Sequence, residues 1–423
     1  MHHFEYRDGV LHAEDIPLDH LAGEVGTPFY CYSAATLRRH YSVFADAFNS
    51  QDTLVAFSVK SLSNIAVLSL LARQGAGADV VSGGELFRAL KAGIPGEKIV
   101  FSGVGKTRAE MADALKAGIC QFNVESEAEL IALDEVARSM NVKAPIALRV
   151  NPDVAAGTHD KISTGRKTDK FGISWSIAAD VYARAAKMDG IDVSGVDVHI
   201  GSQITDLAPF GAAFSKVAAL VSTLRDQGHD IRRLDLGGGL GVPYHHQDGT
   251  PAPPHPLDYA KVIQETASHL DVQLIFEPGR MIAGNAGIMV ARVTYLKENE
   301  GRHFAILDCG MNDLIRPALY DAWHDIIPIT EPAEGAGTKL IDIVGPVCES
   351  TDRFARNREM PPLKPGDLVA FLTAGAYGAV QGNEYNTRPL VPEILVDGGK
   401  HAVIRRRPTY DEMIARETVP DWV

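Results

Sequence analysis

The chain has 423 residues, 45% of them hydrophobic and 22% charged, the profile of a globular protein with room for more than one domain. With 41 Lys and Arg against 54 Asp and Glu its formal charge is −13, which argues against nucleic acid or an anionic membrane surface as partner and requires local groups to hold any anionic ligand. The four cysteines (Cys31, Cys120, Cys309, Cys348) form no CxxC pair, no run is long and apolar enough to span a bilayer, and the N-terminus lacks a signal layout. A cytoplasmic protein with neither a metal cluster nor a disulfide framework is expected.

In chain order, "FEYRDGVLH" predicts a hairpin turning at Asp8-Gly9. Short runs rich in Val, Ile and Leu follow at Leu54–Lys60, Ala78–Ser82, Ile99–Ser102, Phe122–Glu125, Ile146–Asn151, Val196–Gly201, Arg233–Leu236 and Gln273–Glu277. They are continuous rather than alternating, as parallel strands covered on both faces should be. Amphipathic helical stretches lie between them, two opening with the capping-box pairs Thr107/Glu110 and Ser126/Glu129. Eight such strands alternating with helices predict a (β/α)8 barrel, with an open doubly wound sheet as the alternative. After Ala286 the segments "IMVARVTYLKENEGRHFAILDCG", "TKLIDIVGPV", "GDLVAFLTAG" and "EILVDGGKHAVIRRR" predict further strands. The expected organisation is α/β: a barrel over 28–285, and a mainly β domain from 1–27 and 286–423.

Function in such barrels collects at the C-terminal ends of the strands. There the sequence places Lys60, Ser82 with Gly83-Gly84-Glu85, Asn151, His199 with Gly201-Ser202, Gly237-Gly238-Gly239 and Glu277 with Pro278-Gly279-Arg280. Taken singly, Lys60 can be a snorkelling lysine, "DLGGGLG" a tight turn, Glu277 the ion-pair partner of Arg280, and His199 a satisfied core histidine. Taken together, they suit a ligand with a phosphate, a basic ring nitrogen and a carbonyl open to attack by lysine. Pyridoxal phosphate (PLP) meets all three needs, with Lys60 forming the Schiff base. Asp79 could orient a neighbour or belong to an ordinary buried pair.

Motifs along nearly the whole chain resemble those of the diaminopimelate decarboxylases, in the alanine-racemase-like (fold type III) group of PLP enzymes. They are "SGGEL", "HIGSQ", "LGGGLG", "EPGR", "GMNDLIRPALY", "GPVCES", "AGAYG" and "YNTRP", in the family's order. The resemblance implies a Schiff-base Lys60. It implies a phosphate cradle from Gly237, Gly238, Gly239 and the Glu277–Arg280 backbone (Pro278 and Gly279 between), with His199 and Ser202 also against the cofactor. Glu277 would face the pyridine nitrogen, and Tyr377 would touch cofactor and substrate. Arg280, Arg316 and Tyr320 would bind the distal carboxylate, Cys348 would donate a proton, and Glu349 would contact substrate. Cys348 and Glu349 would come from the other subunit of a homodimer. Where the family often continues Lys-Ala-Asn, this chain has Lys60-Ser61-Leu62, with Asn64 further on.

The expected reaction is decarboxylation of meso-diaminopimelate to L-lysine and CO2, the last step of lysine biosynthesis. A carboxylate at the ring nitrogen favours its protonated state and strengthens the electron sink, whereas an arginine there would suit racemisation. Outside their motifs, Cys348 would be a small buried hydrophobe, Arg316 a surface residue and Tyr320 a core one. Competing readings are a related decarboxylase for ornithine, arginine or a carboxylated polyamine, and a non-catalytic PLP-binding protein. The β domain with "GPVCES" argues against the second.

Overall fold

The computed structural model describes residues 2–154, 164–165, 169–245 and 252–423. Most of the long loop at 157–172 and part of the Pro-rich segment at 244–256 lie outside them. The chain divides into two compact units. One comprises Leu37–Pro243 and Pro251–Ile282; the other comprises Met1–Thr36, Tyr244–Thr250 and Ala283–Val423.

The first unit is the barrel. Its strands are Thr53–Ser58, Gly77–Val80, Ile99–Phe101, Gln121–Val124, Ala144–Asn151, Ile191–Asp197, Arg233–Asp235 and Gln273–Phe276. Each pairs in parallel with the next, and the eighth pairs back onto the first through Leu274↔Thr53, Ile275↔Leu54 and Phe276↔Val55. Closure leaves no edge and rules out the open-sheet alternative. The continuous apolar runs have their expected cause, since Ala56, Phe57, Val100, Phe101, Phe122 and Val124 are all buried. Helix ends follow local chemistry. Thr107 and Glu110 form a full capping box, and that helix stops at Gly118 in the left-handed conformation. At Ser126 only half the box forms, because the Glu129 carboxylate is turned to the Glu125 N–H and the Lys106 ammonium.

The second unit is built on a mixed sheet in which Phe29–Ser33 lies between Gly287–Asn299 and Glu393–Asp397. Although expected from sequence to open the barrel domain, Phe29–Ser33 therefore pairs with C-terminal strands. Its five residues are all buried, and its tyrosines have partners: Tyr30 Oη donates to the Asp313 carbonyl and Tyr32 Oη to Glu393. The predicted N-terminal hairpin forms between Phe4–Arg7 and Val10–Ala13, with positive φ at both Asp8 and Gly9, as a type I′ turn requires. Phe4, Leu11 and Leu18 share a core with Phe29, Ile288, Val290 and Ile394. No helix among the described residues is long and apolar enough to cross a membrane.

Candidate active site

Lys60 does not end its strand. The strand stops at Ser58, and Lys60 lies in one turn of 3-10 helix, Val59–Ser61. Its Nζ is 2.7 Å from Oδ2 of Asp79, which is wholly buried, and Ser58 Oγ donates to the same oxygen at 2.5 Å. Ser58 and Asp79 are register partners on adjacent strands, so strand pairing itself sets this contact. The ammonium is thus held by a carboxylate inside the barrel rather than snorkelling into solvent. The unusual residues after Lys60 have local work: Ser61 Oγ donates to the Ser58 carbonyl, and Asn64 caps the helix Ile65–Ala72.

The glycine turn follows the seventh strand, which the eighth separates from the first. Side chains do not fit there. A Cβ on Gly238 would lie 2.3 Å from the Glu277 carbonyl oxygen, and one on Gly239 2.5 Å from that of Gly201. Gly237 and Gly239 also have φ of 64° and 112°, which favour glycine. Such a bare, concave turn fits a phosphate. The cradle is narrower than its sequence suggests, however. The Gly237 N–H donates to Asp235 Oδ1 (3.0 Å) and the Gly238 N–H to His199 Nδ1 (3.1 Å). Gly239 is the glycine of the three whose amide the described residues leave unengaged. Ser202 Oγ accepts from Arg280 Nη2 at 3.2 Å, and Pro278 and Gly279 complete the loop, where a Cβ on Gly279 would meet Ser58 and Ser61 at 2.9 Å.

His199 stands two residues beyond the end of the sixth strand, not on it. Burial, Arg149 and Lys60 hold its pKa well below the usual histidine range. It is therefore a neutral imidazole whose Nδ1 accepts from Gly238, with the proton on Nε2.

Glu277 directly follows the eighth strand and is 5% exposed. Its Oε1 accepts from Ser102 Oγ (3.0 Å) and Asn123 Nδ2 (3.1 Å), so among the described residues its carboxylate is held by neutral donors rather than paired with Arg280. Oxygens of Glu277, Asp235 and Asp197 lie within 4.8 Å of one another. Burial, then Asp235, Asp79 and Asp197, push the Glu277 carboxyl well above its ordinary range. Burial also raises Asp235 to about 7, against the opposing hydrogen bonds from Asn123 and Gly237. Buried acids gathered this closely favour a cationic neighbour. A protonated ring nitrogen is such a neighbour, so this donor set fits PLP as well as the glycine turn does. Asp197, Asp235, Ser102 and Asn123 escape sequence reasoning, and their signal is a lone polar residue within or just after an apolar strand.

The second unit carries its own polar cluster. Arg316 and Tyr320 open and close the short helix Arg316–Tyr320, one turn apart. Arg316 is no surface residue: it is 6% exposed, with Nη1 2.7 Å from His324 Nε2 and its guanidinium 4.4 Å from the Tyr244 ring centre. His324 Nδ1 faces the Leu372 carbonyl at 2.8 Å, which must accept, so Nε2 is free of a proton and accepts from Arg316. Tyr320 is half-buried rather than a core residue. Cys348 is exposed, not a buried hydrophobe. Beside it, Glu349 accepts from the hydroxyls of Tyr385 and Thr351. Asp352 fixes this loop by taking the N–H groups of Met311 (2.7 Å) and Val347 (2.6 Å). Tyr377 has φ of 57°, rare for a tyrosine and typical of strained functional positions.

Comparison with known proteins agrees with this chemistry. Residues 34–284 match the family model described as pyridoxal-dependent decarboxylase, pyridoxal binding domain. The chain is 50% identical over 421 residues to the diaminopimelate decarboxylase of Vibrio cholerae, covering 99% of each. It is similar to the crystal structure of the M. jannaschii diaminopimelate decarboxylase, with a TM-score of 0.94 and 37% identity over 99% of this chain and 98% of that one. For the Helicobacter pylori enzyme complexed with L-lysine the TM-score is 0.90 and the identity 40%, over 95% of this chain and 99% of that one. A pyridoxal-binding barrel and full-length likeness at this level show that the chain belongs to the diaminopimelate decarboxylases.

Proposed function

We propose that the chain decarboxylates meso-diaminopimelate to L-lysine and CO2, as a cytoplasmic PLP-dependent homodimer. The observation that carries the substrate assignment is Arg316. It is a buried guanidinium set in place by a neutral histidine and an aromatic face, in a chain 50% identical to a diaminopimelate decarboxylase. A distal carboxylate gives such a group a purpose, and ornithine has none.

PLP, when bound, supplies an electron sink for the pair left at the α-carbon as CO2 departs. Lys60 holds the cofactor covalently through Nζ. The Gly239 amide and the Glu277–Arg280 backbone, with Gly237, Gly238 and Ser202 shaping the loop, hold its phosphate. His199 covers the ring as a neutral imidazole and so does not compete for the ring's charge. Glu277 holds the proton on the ring nitrogen, and the surrounding acids favour that positive charge. Asp79 keeps Lys60 directed into the barrel. Arg316, Tyr320 and Arg280 bind the distal carboxylate, Glu349 receives the distal ammonium, and Tyr377 contacts both cofactor and substrate. Cys348 Sγ returns a proton to the α-carbon, and its exposure suits a donor that serves the partner subunit. Cytoplasmic placement draws support from four cysteines that are all free thiols.

Activity on a panel of amino acids tests the proposal. Release of L-lysine from meso-diaminopimelate, with no turnover of ornithine or arginine, is the expected result. The reverse preference would overturn the substrate assignment.

A further inference from the structure

Asn123 lies in the fourth barrel strand, fully buried. It shares the inward face with Gln121, while Phe122 and Val124 alternate to the other side. Gln121 Nε2 donates to Asn123 Oδ1 at 2.8 Å, which orients the Asn123 amide. Its Nδ2 then faces Glu277 Oε1 at 3.1 Å, Asp235 Oδ2 at 3.0 Å and Ser102 Oγ at 3.1 Å. The two amide hydrogens go naturally to the two carboxylates, because Ser102 can itself donate to Glu277. Two buried acids this close would otherwise reduce their repulsion by sharing one proton, leaving Glu277 neutral. A neutral donor between them opposes that sharing, because its two N–H bonds favour the charged form of each carboxylate. Both donors converge on Oε1, and no described residue donates to Oε2. Asp79, Asp197, Lys60 and Arg149 are the other charged groups felt by this cluster.

We propose that Asn123 is a positioning residue for the reaction: by donating one N–H to Glu277 and the other to Asp235, it keeps Glu277 the ionised, oriented partner of the cofactor's ring nitrogen. The inference rests on the proposed function for its cofactor, not for its substrate. It also explains why a strand in an apolar barrel carries an amide at this position, 112 residues in sequence from Asp235 and 154 from Glu277.

The test uses holoenzyme loaded with PLP labelled with 15N at the ring nitrogen, comparing wild type with Asn123→Ala and the similarly shaped, uncharged Asn123→Leu. In the wild type the ring 15N signal should stay at its protonated position through neutral pH. In both variants it should move toward the unprotonated position, and kcat should fall roughly 10- to 100-fold with KM within about twofold, the range for losing a hydrogen bond to a charged group. Should the alanine variant not fold, the leucine variant fills the same space with neither a donor nor a charge and is read alone. A variant that loses stability or cofactor affinity but keeps the wild-type 15N position would overturn the proposal, because Asn123 would then be only structural. The 15N readout needs no substrate, so a failure of the decarboxylation reading is seen separately, in wild-type turnover.

Discussion

Replacing Arg316 by alanine removes a guanidinium that is in place before any substrate arrives. It is 6% exposed, bonded to His324 at 2.7 Å and seated 4.4 Å from the Tyr244 ring centre. A substrate carboxylate bound here meets a fixed fork of N–H donors and little water, so little ordering remains to oppose binding. Truncation leaves that carboxylate desolvated and unpaired, a loss of about 2–5 kcal/mol. That converts to a fall in kcat/KM of roughly 30- to 5,000-fold. The assay is L-lysine formation from meso-diaminopimelate, with PLP content followed by visible absorbance after dialysis. Activity should collapse while cofactor content stays at the wild-type level. Arg316→Lys should recover only part of it, because an ammonium is a point charge without the planar fork. The reasoning is refuted if the alanine variant loses PLP in step with activity, or if kcat/KM falls less than about fivefold.

Lys60→Ala should abolish covalent cofactor attachment; after borohydride reduction of wild type, peptide mapping should find the cofactor on Lys60, and recovery on another residue would contradict its role. The cofactor-free protein should lose stability as pH rises from about 4 to about 7, because the folded Asp235 carboxyl, raised to about 7, keeps a proton the unfolded chain has released. Thermal unfolding across that range should show the slope in wild type and a flatter one in Asp235→Asn; equal slopes would sink the argument. Lys60→Ala and Cys348→Ala should each be inactive alone, yet an equal mixture exchanged into hybrid dimers should regain about one quarter of wild-type activity, since half the dimers then carry one intact site. No recovery would place Lys60 and Cys348 in the same subunit's site.

The barrel is legible in sequence because burial on both faces leaves a continuous apolar run, and every one of the eight expected strands is present. The strand ends are not legible to the residue, because the last hydrogen-bonded residue and the first functional one look alike. Lys60, Ser82 and His199 each fall just beyond the ladder; Ser82 caps the helix Gly83–Lys91 instead. Phe29–Ser33 is misjudged for a different reason: its partners lie some 250 residues or more away, and a buried run does not say which sheet will bury it. The glycine turn shows that composition predicts access and not use, since Asp235 and His199 take two of its amides. The acid cluster is hidden for the same reason. A single Asp in an apolar run has no meaning until the closed barrel brings Asp197, Asp235 and Glu277 together. The exposed Cys348 is singled out by its motif alone, because nothing in the type of residue separates it from the buried Cys31, Cys120 and Cys309.

Turnover of meso-diaminopimelate with and without added PLP tests the central claim most directly. PLP-dependent release of L-lysine and CO2 in equal amounts is the predicted result. No lysine in the presence of PLP, or turnover indifferent to PLP, would contradict it.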